Sequence, residues 1–168
     1  MNKNEIYVND YIRTEMPEKL YTLLKEKNFT ITTAESCTGG LIGGAITSVS
    51  GISSYYKEGV ITYSNEAKMK FLGVSAKTLE SYGAVSPQTA EEMAVGAIKR
   101  SGADISVAVT GIAGPDGGTR EKPVGLVYIA IADKNSVTIK ENYFSGNRDK
   151  VREYTVDTAI SMAIEKLS

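Results

Sequence analysis

The sequence contains no histidine, and Cys37 is its only cysteine among 168 residues. Without histidine the protein lacks the usual general base at neutral pH and the commonest metal ligand, and Ser-His and Cys-His nucleophiles are excluded. A single cysteine also excludes zinc sites built from several thiolates and an intramolecular disulfide framework. If the chain is an enzyme, carboxylates, lysine, tyrosine, hydroxyls and backbone amides must perform its chemistry.

Strong net charge and long apolar segments are absent as well. The 19 basic and 20 acidic residues give a net charge of -1, which creates no field that would attract nucleic acid or an anionic membrane. The longest apolar run, residues 124–132, is far too short to span a bilayer, and residues 1–13 are too polar for a signal peptide. We therefore expect a cytoplasmic protein that binds neither nucleic acid nor membranes.

The order of the predicted elements indicates the fold class. Hydrophobic periodicity and cap residues predict helices over residues 17–27, 38–49, 65–72, 75–82, 86–100 and from Asn147 onward. Runs of β-branched residues predict strands over residues 29–33, 60–63, 105–110, 124–132 and 137–144. Helices first alternate with strands and then consecutive strands follow, so we predict an α/β fold: a single-domain, three-layer α/β/α sandwich with a mixed β-sheet.

The chain length is typical of one domain. We place this domain at residues 17–168, since Pro17 suits the first turn of a helix. Residues 1–16 are then an N-terminal extension that forms either an extra helix or a disordered arm.

The first candidate site is Ala-Glu-Ser-Cys-Thr-Gly-Gly, residues 34–40, between a predicted strand and a predicted helix. The first amides of a helix have no intrahelical acceptors and stabilise an anion or an oxyanion, and Ser36 would place its hydroxyl beside them. Thr38, Gly39 and Gly40 are candidate binding residues, because glycine allows close approach to the backbone. The alternative is that Ser36 or Thr38 only caps the helix.

The second candidate is Tyr-Ser-Asn-Glu-Ala-Lys, residues 63–68, where another strand runs into a helix. Lys68 could serve as a general base if burial lowered its pKa from about 10.4 towards neutrality. In a chain without histidine, a Ser-Lys pair is the leading way to activate a serine. Tyr63 could relay a proton or position the lysine. The alternative is that Lys68 is an ordinary solvated helix residue.

The third candidate is the glycine-rich segment 110–125, which lacks the Gly-Lys-Ser/Thr ending of a P-loop. It can expose several backbone amides to a ligand, while Lys122 supplies positive charge, and Arg148 adds another cation at the start of the last helix. The alternative is a flexible connection between strands. The candidate binding residues of these segments are Thr110, Gly111, Gly114, Gly117, Gly118, Lys122 and Arg148.

Taken together and in order, residues 33–40, 63–68 and 110–125 resemble the CinA C-terminal domain family, whose stand-alone members are nicotinamide mononucleotide deamidases. Ser-Gly-Asn-Arg, residues 145–148, is a shorter fourth match. The resemblance covers roughly residues 19–167. It implies an α/β fold of the three-layer kind. We expect no activity of the nucleotide-processing domain that precedes this module in longer family members.

The resemblance also implies an activity, which is hydrolysis of the carboxamide of nicotinamide mononucleotide by a Ser/Lys amidohydrolase. The resemblance implies that Ser36 is the nucleophile, that Lys68 is the base and that Tyr63 has an auxiliary role. It implies no metal or other cofactor. Amides near Thr38 and Gly39 would hold the oxyanion. The phosphate would be bound by the glycine-rich loop together with Lys122 and Arg148. We expect a small-molecule nucleotide as partner and a homo-oligomer.

Two other functions stay open at this point. One is a non-catalytic nucleotide- or partner-binding module linked to competence or DNA damage, as the family's name suggests. The other is an amidohydrolase that acts on a different pyridine or small amide. The presence of both Ser36 and Lys68 favours an enzyme, because a binding module has no need of that pair.

Overall fold

The computed structural model describes residues 3–168, with side chains from Glu15 onward. The described helices are α1 (Lys3–Lys27), α2 (Leu41–Thr47), α3 (Asn65–Leu72), α4 (Ala76–Tyr82), α5 (Pro87–Ser101) and α6 (Arg148–Leu167), and a short 3-10 turn spans Ile52–Ser54. The strands are β1 (Ile31–Glu35), β2 (Tyr56–Ile61), β3 (Ile105–Gly111), β4 (Leu126–Asp133) and β5 (Val137–Tyr143). The predicted α/β class is confirmed.

The five strands form one mixed sheet in the order β2-β1-β3-β4-β5. β1 runs parallel to both β2 and β3, whereas β4 and β5 are antiparallel to their neighbours. The carboxyl ends of β2, β1 and β3 therefore meet at one edge of the sheet. Ligands of open α/β sheets gather at this edge, and the connections that follow Glu35, Ile61 and Gly111 lie there.

Helices cover both faces of the sheet, which gives three layers. On one face α1, α2 and α6 pack against branched strand residues such as Ile31, Val107 and Ile129. On the other face α3 and α5 pack against smaller residues such as Ala34, Ala108 and Ala130. Small side chains on that face let α5 lie close to the sheet, and α3 packs on α5.

The N-terminal helix differs from its prediction. It begins at Lys3 rather than at Pro17, so Pro17 lies inside α1. Proline is favoured in the first turn because it lacks an N–H, and this preference misplaced the start. The backbone of the predicted extension 1–16 is helical from Lys3. Met1 and Asn2, and the side chains of residues 1–14, lie outside the described part of the chain.

Helix α2 is shorter than predicted. It begins at Leu41 rather than Thr38, because Gly39 and Gly40 adopt left-handed backbone angles, with φ of 61° and 100°. Such angles cannot continue a right-handed helix, so residues 36–40 form a turn before α2. Strand β2 also lies earlier than predicted, since its parallel pairing with β1 starts at Tyr56.

The other helix starts follow their cap residues. The side chains of Ser64, Ser75, Ser86 and Asn147 accept hydrogen bonds from backbone amides at the starts of α3, α4, α5 and α6. Pro87 occupies the first turn of α5 as predicted. Within residues 3–168, no helix has the length and apolar character needed to cross a bilayer.

Candidate active site

Ser36 and Lys68 are in direct contact at the carboxyl edge of the sheet. Ser36 follows the last residue of β1, and Lys68 lies in the first turn of α3. Lys68 Nζ donates a hydrogen bond to Ser36 Oγ at 2.9 Å and another to the carbonyl oxygen of Thr62 at 2.7 Å. Thr62 follows β2, so the ends of two neighbouring parallel strands hold the two side chains together.

Burial determines the chemistry of Lys68. Its side chain is only 1% exposed, and Ser36 is 8% exposed. Removal from water disfavours the ammonium form and lowers the pKa of Lys68, while the neighbouring Cys37 opposes this with a smaller effect. The alternative that Lys68 is a solvated helix residue is therefore wrong. The buried amine is closer to the neutral form that a general base requires.

Cys37 is a poor second nucleophile. It is buried next to Ser36, and burial raises the pKa of its thiol to about 11, although nearby Lys68 lowers it in part. The thiolate is the reactive form of cysteine, and it is rare at neutral pH when the pKa is that high. Of the two side chains at this turn, the Ser36 hydroxyl is the one that contacts the Lys68 amine.

The start of α2 is occupied by Glu35. The Glu35 carboxylate accepts hydrogen bonds from the amides of Gly40, Ile42 and Gly43, while Gly40 makes no side-chain cap. The alternative that Ser36 or Thr38 caps the helix is wrong for that reason. It also means that the predicted anion site at the helix start is already filled by a protein carboxylate.

The amides next to Ser36 divide into two groups. Gly39 N donates to Ser36 O and Gly40 N donates to Glu35, so neither amide is available in this arrangement. Among the described residues, the amides of Cys37 and Thr38 donate to no other residue, although the Cys37 amide lies close enough to its own thiol to lower the pKa of that thiol. The Gly39 amide, which was expected to help hold an oxyanion, donates to Ser36 O in this arrangement.

An open cavity of about 270 Å³ leads to the Ser36–Lys68 pair. Its walls come from four chain segments that the sequence singled out, including the one that carries Arg148, and from the α4–α5 connection, which it did not. The predicted residues that line this cavity are Ser36, Tyr63, Lys68, Thr110, Gly111, Gly114, Gly117 and Arg148. The motifs thus converge on one site.

Tyr63 lies at the rim of the cavity. Its side chain is 60% exposed, and its hydroxyl accepts a hydrogen bond from Arg148 Nη2 at 2.9 Å. Arg148 Nη1 also donates to the carbonyl oxygen of Gly114 at 2.8 Å. Tyr63 therefore contacts Arg148 rather than Lys68 or Ser36, and a proton relay through it has no hydrogen bond to support it.

Other predicted binding residues lie outside the cavity wall. Lys122 Nζ donates to the carbonyl oxygen of Tyr82 and ties the glycine-rich loop to the end of α4. Gly118 and the turn residues Thr38, Gly39 and Gly40 are likewise not part of the wall. Of the two predicted cations, only Arg148 lines the cavity.

Sequence reasoning missed Glu35 and Asp116. Glu35 was read only as part of its motif, although an acidic residue at the end of a buried strand just before a helix is a signal for a cap. Asp116 lines the cavity within the glycine-rich loop, where it was treated as turn chemistry. Ala84 and Val85 also line it, and no pattern in their segment indicates a site.

The described residues form no second centre of this kind. Among the residues that the structure describes, no group of three or more acidic, cysteine or histidine side chains could hold a metal ion. A larger hollow of about 610 Å³ lies between α1, α2 and α6. Its described lining has charged residues such as Asp149 and Arg152, but no nucleophile hydrogen-bonded to a base.

The chain was compared with known proteins. Residues 13–167 match the model of the CinA C-terminal domain. A competence-damage inducible protein of Clostridium novyi is 54% identical over 155 residues, which cover 92% of this chain and 37% of that protein. A CinA-like protein of Citrifermentans bemidjiense is 51% identical over 148 residues, 88% of this chain and 36% of the relative. The chain spans little more than a third of these relatives.

Solved structures agree with this assignment. The competence/damage inducible protein of Agrobacterium tumefaciens superposes with a TM-score of 0.89 at 47% identity, covering 92% of this chain and 94% of that one. A competence or damage-inducible protein of Enterobacter asburiae gives a TM-score of 0.90 at 36% identity, with 93% and 98% covered. This chain therefore belongs to the CinA C-terminal domain family.

Proposed function

We propose that this protein hydrolyses the carboxamide of nicotinamide mononucleotide to nicotinate mononucleotide and ammonia. The observation that carries the proposal is the hydrogen bond between the buried Lys68 Nζ and Ser36 Oγ at an open cavity. The substrate is inferred from the resemblance of residues 33–40, 63–68 and 110–125 to nicotinamide mononucleotide deamidases.

Acylation begins with neutral Lys68. One N–H of the neutral amine donates to Thr62 O. The lone pair of Lys68 Nζ is then available to accept the proton of the Ser36 hydroxyl. As Lys68 takes the proton, Ser36 Oγ bonds to the amide carbon. The amides of Cys37 and Thr38, which donate to no other described residue, are the donors for the oxyanion. Lys68 then gives the proton to the leaving nitrogen, the C–N bond breaks, and ammonia departs.

Deacylation repeats the sequence with water. Lys68 takes a proton from water, the hydroxide oxygen bonds to the acyl carbon, and the bond to Ser36 Oγ breaks. Lys68 returns the proton to Ser36 and restores the starting state. Each proton transfer needs an amine with a lowered pKa, which the burial of Lys68 supplies.

The cavity suits a small nucleotide. A volume of about 270 Å³ lies just below the ~300–1,000 Å³ that ligand pockets usually have, which favours a pyridine ring and ribose over a dinucleotide. Arg148 uses two of its five N–H donors on Tyr63 and Gly114. The others are free to bind a phosphate at the rim.

Ammonia release from nicotinamide mononucleotide tests the proposal. We expect turnover by the wild type and a loss of more than about a thousandfold in kcat for Ser36→Ala and for Lys68→Met. Lys70→Met is the matched control, because Lys70 is an exposed lysine of the same helix. Full activity in Ser36→Ala would overturn the mechanism.

A panel of amides decides between this substrate and its competitors. Nicotinamide, nicotinamide riboside and nicotinamide mononucleotide differ by a ribose and a phosphate. We expect the mononucleotide to have the highest kcat/KM. Turnover of another amide alone would keep the Ser/Lys chemistry and correct the substrate. Nucleotide binding without hydrolysis of any amide would favour the non-catalytic module.

A further inference from the structure

Glu35 is a buried carboxylate next to the nucleophile that the reaction as written does not use. Its side chain is 1% exposed and accepts four hydrogen bonds. Oε2 accepts from Thr38 Oγ1 at 2.6 Å, from Gly40 N at 3.0 Å and from Ile42 N at 3.1 Å. Oε1 accepts from Gly43 N at 2.8 Å. A buried carboxylate is tolerated only with such compensation, and the positive end of α2 adds to it.

These contacts determine what Ser36 is free to do. The first amides of a helix need acceptors, and serine and threonine often supply them through their hydroxyls. Here Glu35 supplies the acceptors, so the Ser36 hydroxyl stays available to Lys68. Gly43 has no Cβ, and a Cβ there would lie 2.7 Å from the Tyr56 hydroxyl and 3.5 Å from Glu35 Oε1. A side chain at position 43 would therefore clash with Tyr56, whereas its distance to Glu35 would be an ordinary contact.

The backbone of Glu35 is linked to the base as well. Thr62 N donates to Glu35 O at 2.8 Å, and Thr62 O accepts from Lys68 Nζ at 2.7 Å. The carboxylate of the same residue holds the turn that carries the nucleophile. The backbone carbonyl of Glu35 thus binds the residue that contacts Lys68, while its carboxylate binds the turn that carries Ser36.

We propose that Glu35 is a positioning residue for the Ser36 nucleophile. Its carboxylate accepts hydrogen bonds at the start of α2 and holds the turn of residues 36–40 so that Ser36 Oγ faces Lys68 Nζ and the amides of Cys37 and Thr38 donate to no other residue. The inference rests on the proposed Ser/Lys chemistry. It assigns Glu35 no contact with substrate.

Glu35→Gln tests the role with little change in volume. The glutamine amide nitrogen is a donor and would face a backbone N–H, so the turn shifts. We expect kcat to fall of the order of 100-fold, as for a misplaced reacting group, with KM changed by less than about threefold. A residue that only stabilises the fold would lower the melting temperature and leave kcat per folded molecule unchanged.

Ser75→Ala is the matched control for a lost helix cap. The Ser75 side chain accepts from Thr78 N at 3.0 Å at the start of α4 and does not line the cavity. We expect a lower melting temperature with kcat within about twofold of the wild type, because an exposed cap contributes to stability alone. A Glu35→Gln protein that is folded and keeps its kcat within about threefold would overturn the role of Glu35.

Thr38→Val is the second variant, for the case in which Glu35→Gln does not fold. It keeps the side-chain shape and removes only the hydroxyl that donates to Glu35 Oε2. We expect kcat to fall about three- to tenfold with KM retained. An unchanged kcat in a folded Thr38→Val protein would then overturn the proposal.

Labelling with phenylmethanesulfonyl fluoride separates this inference from the proposed substrate. Ser36 Oγ bonds to sulfur, the S–F bond breaks, fluoride leaves and Lys68 takes the hydroxyl proton. Mass spectrometry follows the label on Ser36. We expect slower labelling of Glu35→Gln than of the wild type and of Ser75→Ala. If the wild type is labelled without releasing ammonia from nicotinamide mononucleotide, only the substrate is wrong. If it does neither, the Ser/Lys chemistry and the role of Glu35 both fail.

Discussion

Lys68 Nζ lies 2.9 Å from Ser36 Oγ, although 32 positions separate the two residues in the chain. The contact exists because β1 and β2 are parallel neighbours that end at the same edge of the sheet. Ser36 follows the first strand, and α3 brings Lys68 back over the end of the second. The pair is a product of topology, and its chemistry follows from its burial.

The rate should depend on the protonation of Lys68. Burial lowers the pKa of this amine below its ordinary value of 10.5. Below its pKa, Lys68 is an ammonium ion and cannot take a proton, so kcat/KM should rise with pH and level off before pH 10.5 is reached. Ammonia release measured from pH 7 to 9.5, with non-enzymatic release subtracted, checks this. A rate that falls as the pH rises through that range would exclude Lys68 as the base.

Cys37 should resist alkylation in the folded protein. With a pKa of about 11, only about one thiol in a few thousand is a thiolate at pH 7.5, and the side chain is buried. We expect iodoacetamide to leave both the activity and the mass of the native protein unchanged, whereas the denatured protein gains one label. Rapid labelling of the native thiol would show that the turn opens or that the pKa is low.

Arg148 and Lys122 should differ in their effect on substrate binding. Arg148 lines the cavity, whereas Lys122 is tied to Tyr82 O away from it. A charge-assisted hydrogen bond contributes about 1.5–3 kcal/mol, so Arg148→Ala should raise KM for the mononucleotide about 10- to 100-fold. Lys122→Ala should change KM much less. A larger rise in KM for Lys122→Ala than for Arg148→Ala would instead indicate that the phosphate binds to the glycine-rich loop near Lys122.

Two glycines should respond in opposite directions to substitution by alanine. A Cβ on Gly96 of α5 would lie 1.8 Å from the Leu72 carbonyl oxygen, at the end of the helix that carries Lys68. We expect Gly96→Ala to lower the free energy of unfolding by about 1–3 kcal/mol or more. A Cβ on Gly44 of α2 meets nothing within 4 Å, so Gly44→Ala should raise it by about 0.5–1 kcal/mol. Urea unfolding of both variants measures the contrast.

Much of the fold was predictable because local signals agree with the global arrangement. Ser86 followed by Pro87 marked the start of α5, and Asn147 marked the start of α6, as the structure has them. The error at α2 came where a side-chain contact changes how nearby glycines are read. Gly39 and Gly40 end the turn rather than begin the helix, since the Glu35 side chain supplies the cap.

The candidate site was predicted in part for a related reason. Residues on the connections after parallel strands must meet at one edge of a sheet, so the strings that contain Ser36, Lys68 and Thr110 could be expected to converge. The side-chain contacts that these residues make could not be predicted from the sequence. Lys122 sits in the same segment as Thr110, yet its long side chain reaches Tyr82 O instead of the cavity.

The sequence by itself determined which chemistry this protein can use. With no histidine and one cysteine, proton transfer near a serine falls to lysine, and the motifs place Ser36 and Lys68 after successive strands. Only the tertiary structure decided that Lys68 is the lysine beside Ser36, because Lys68 and Lys70 share one short helix and only the first is buried. Which side of α3 packs against the strand ends decides which amine loses its water, and the loss of water lowers the pKa of that amine.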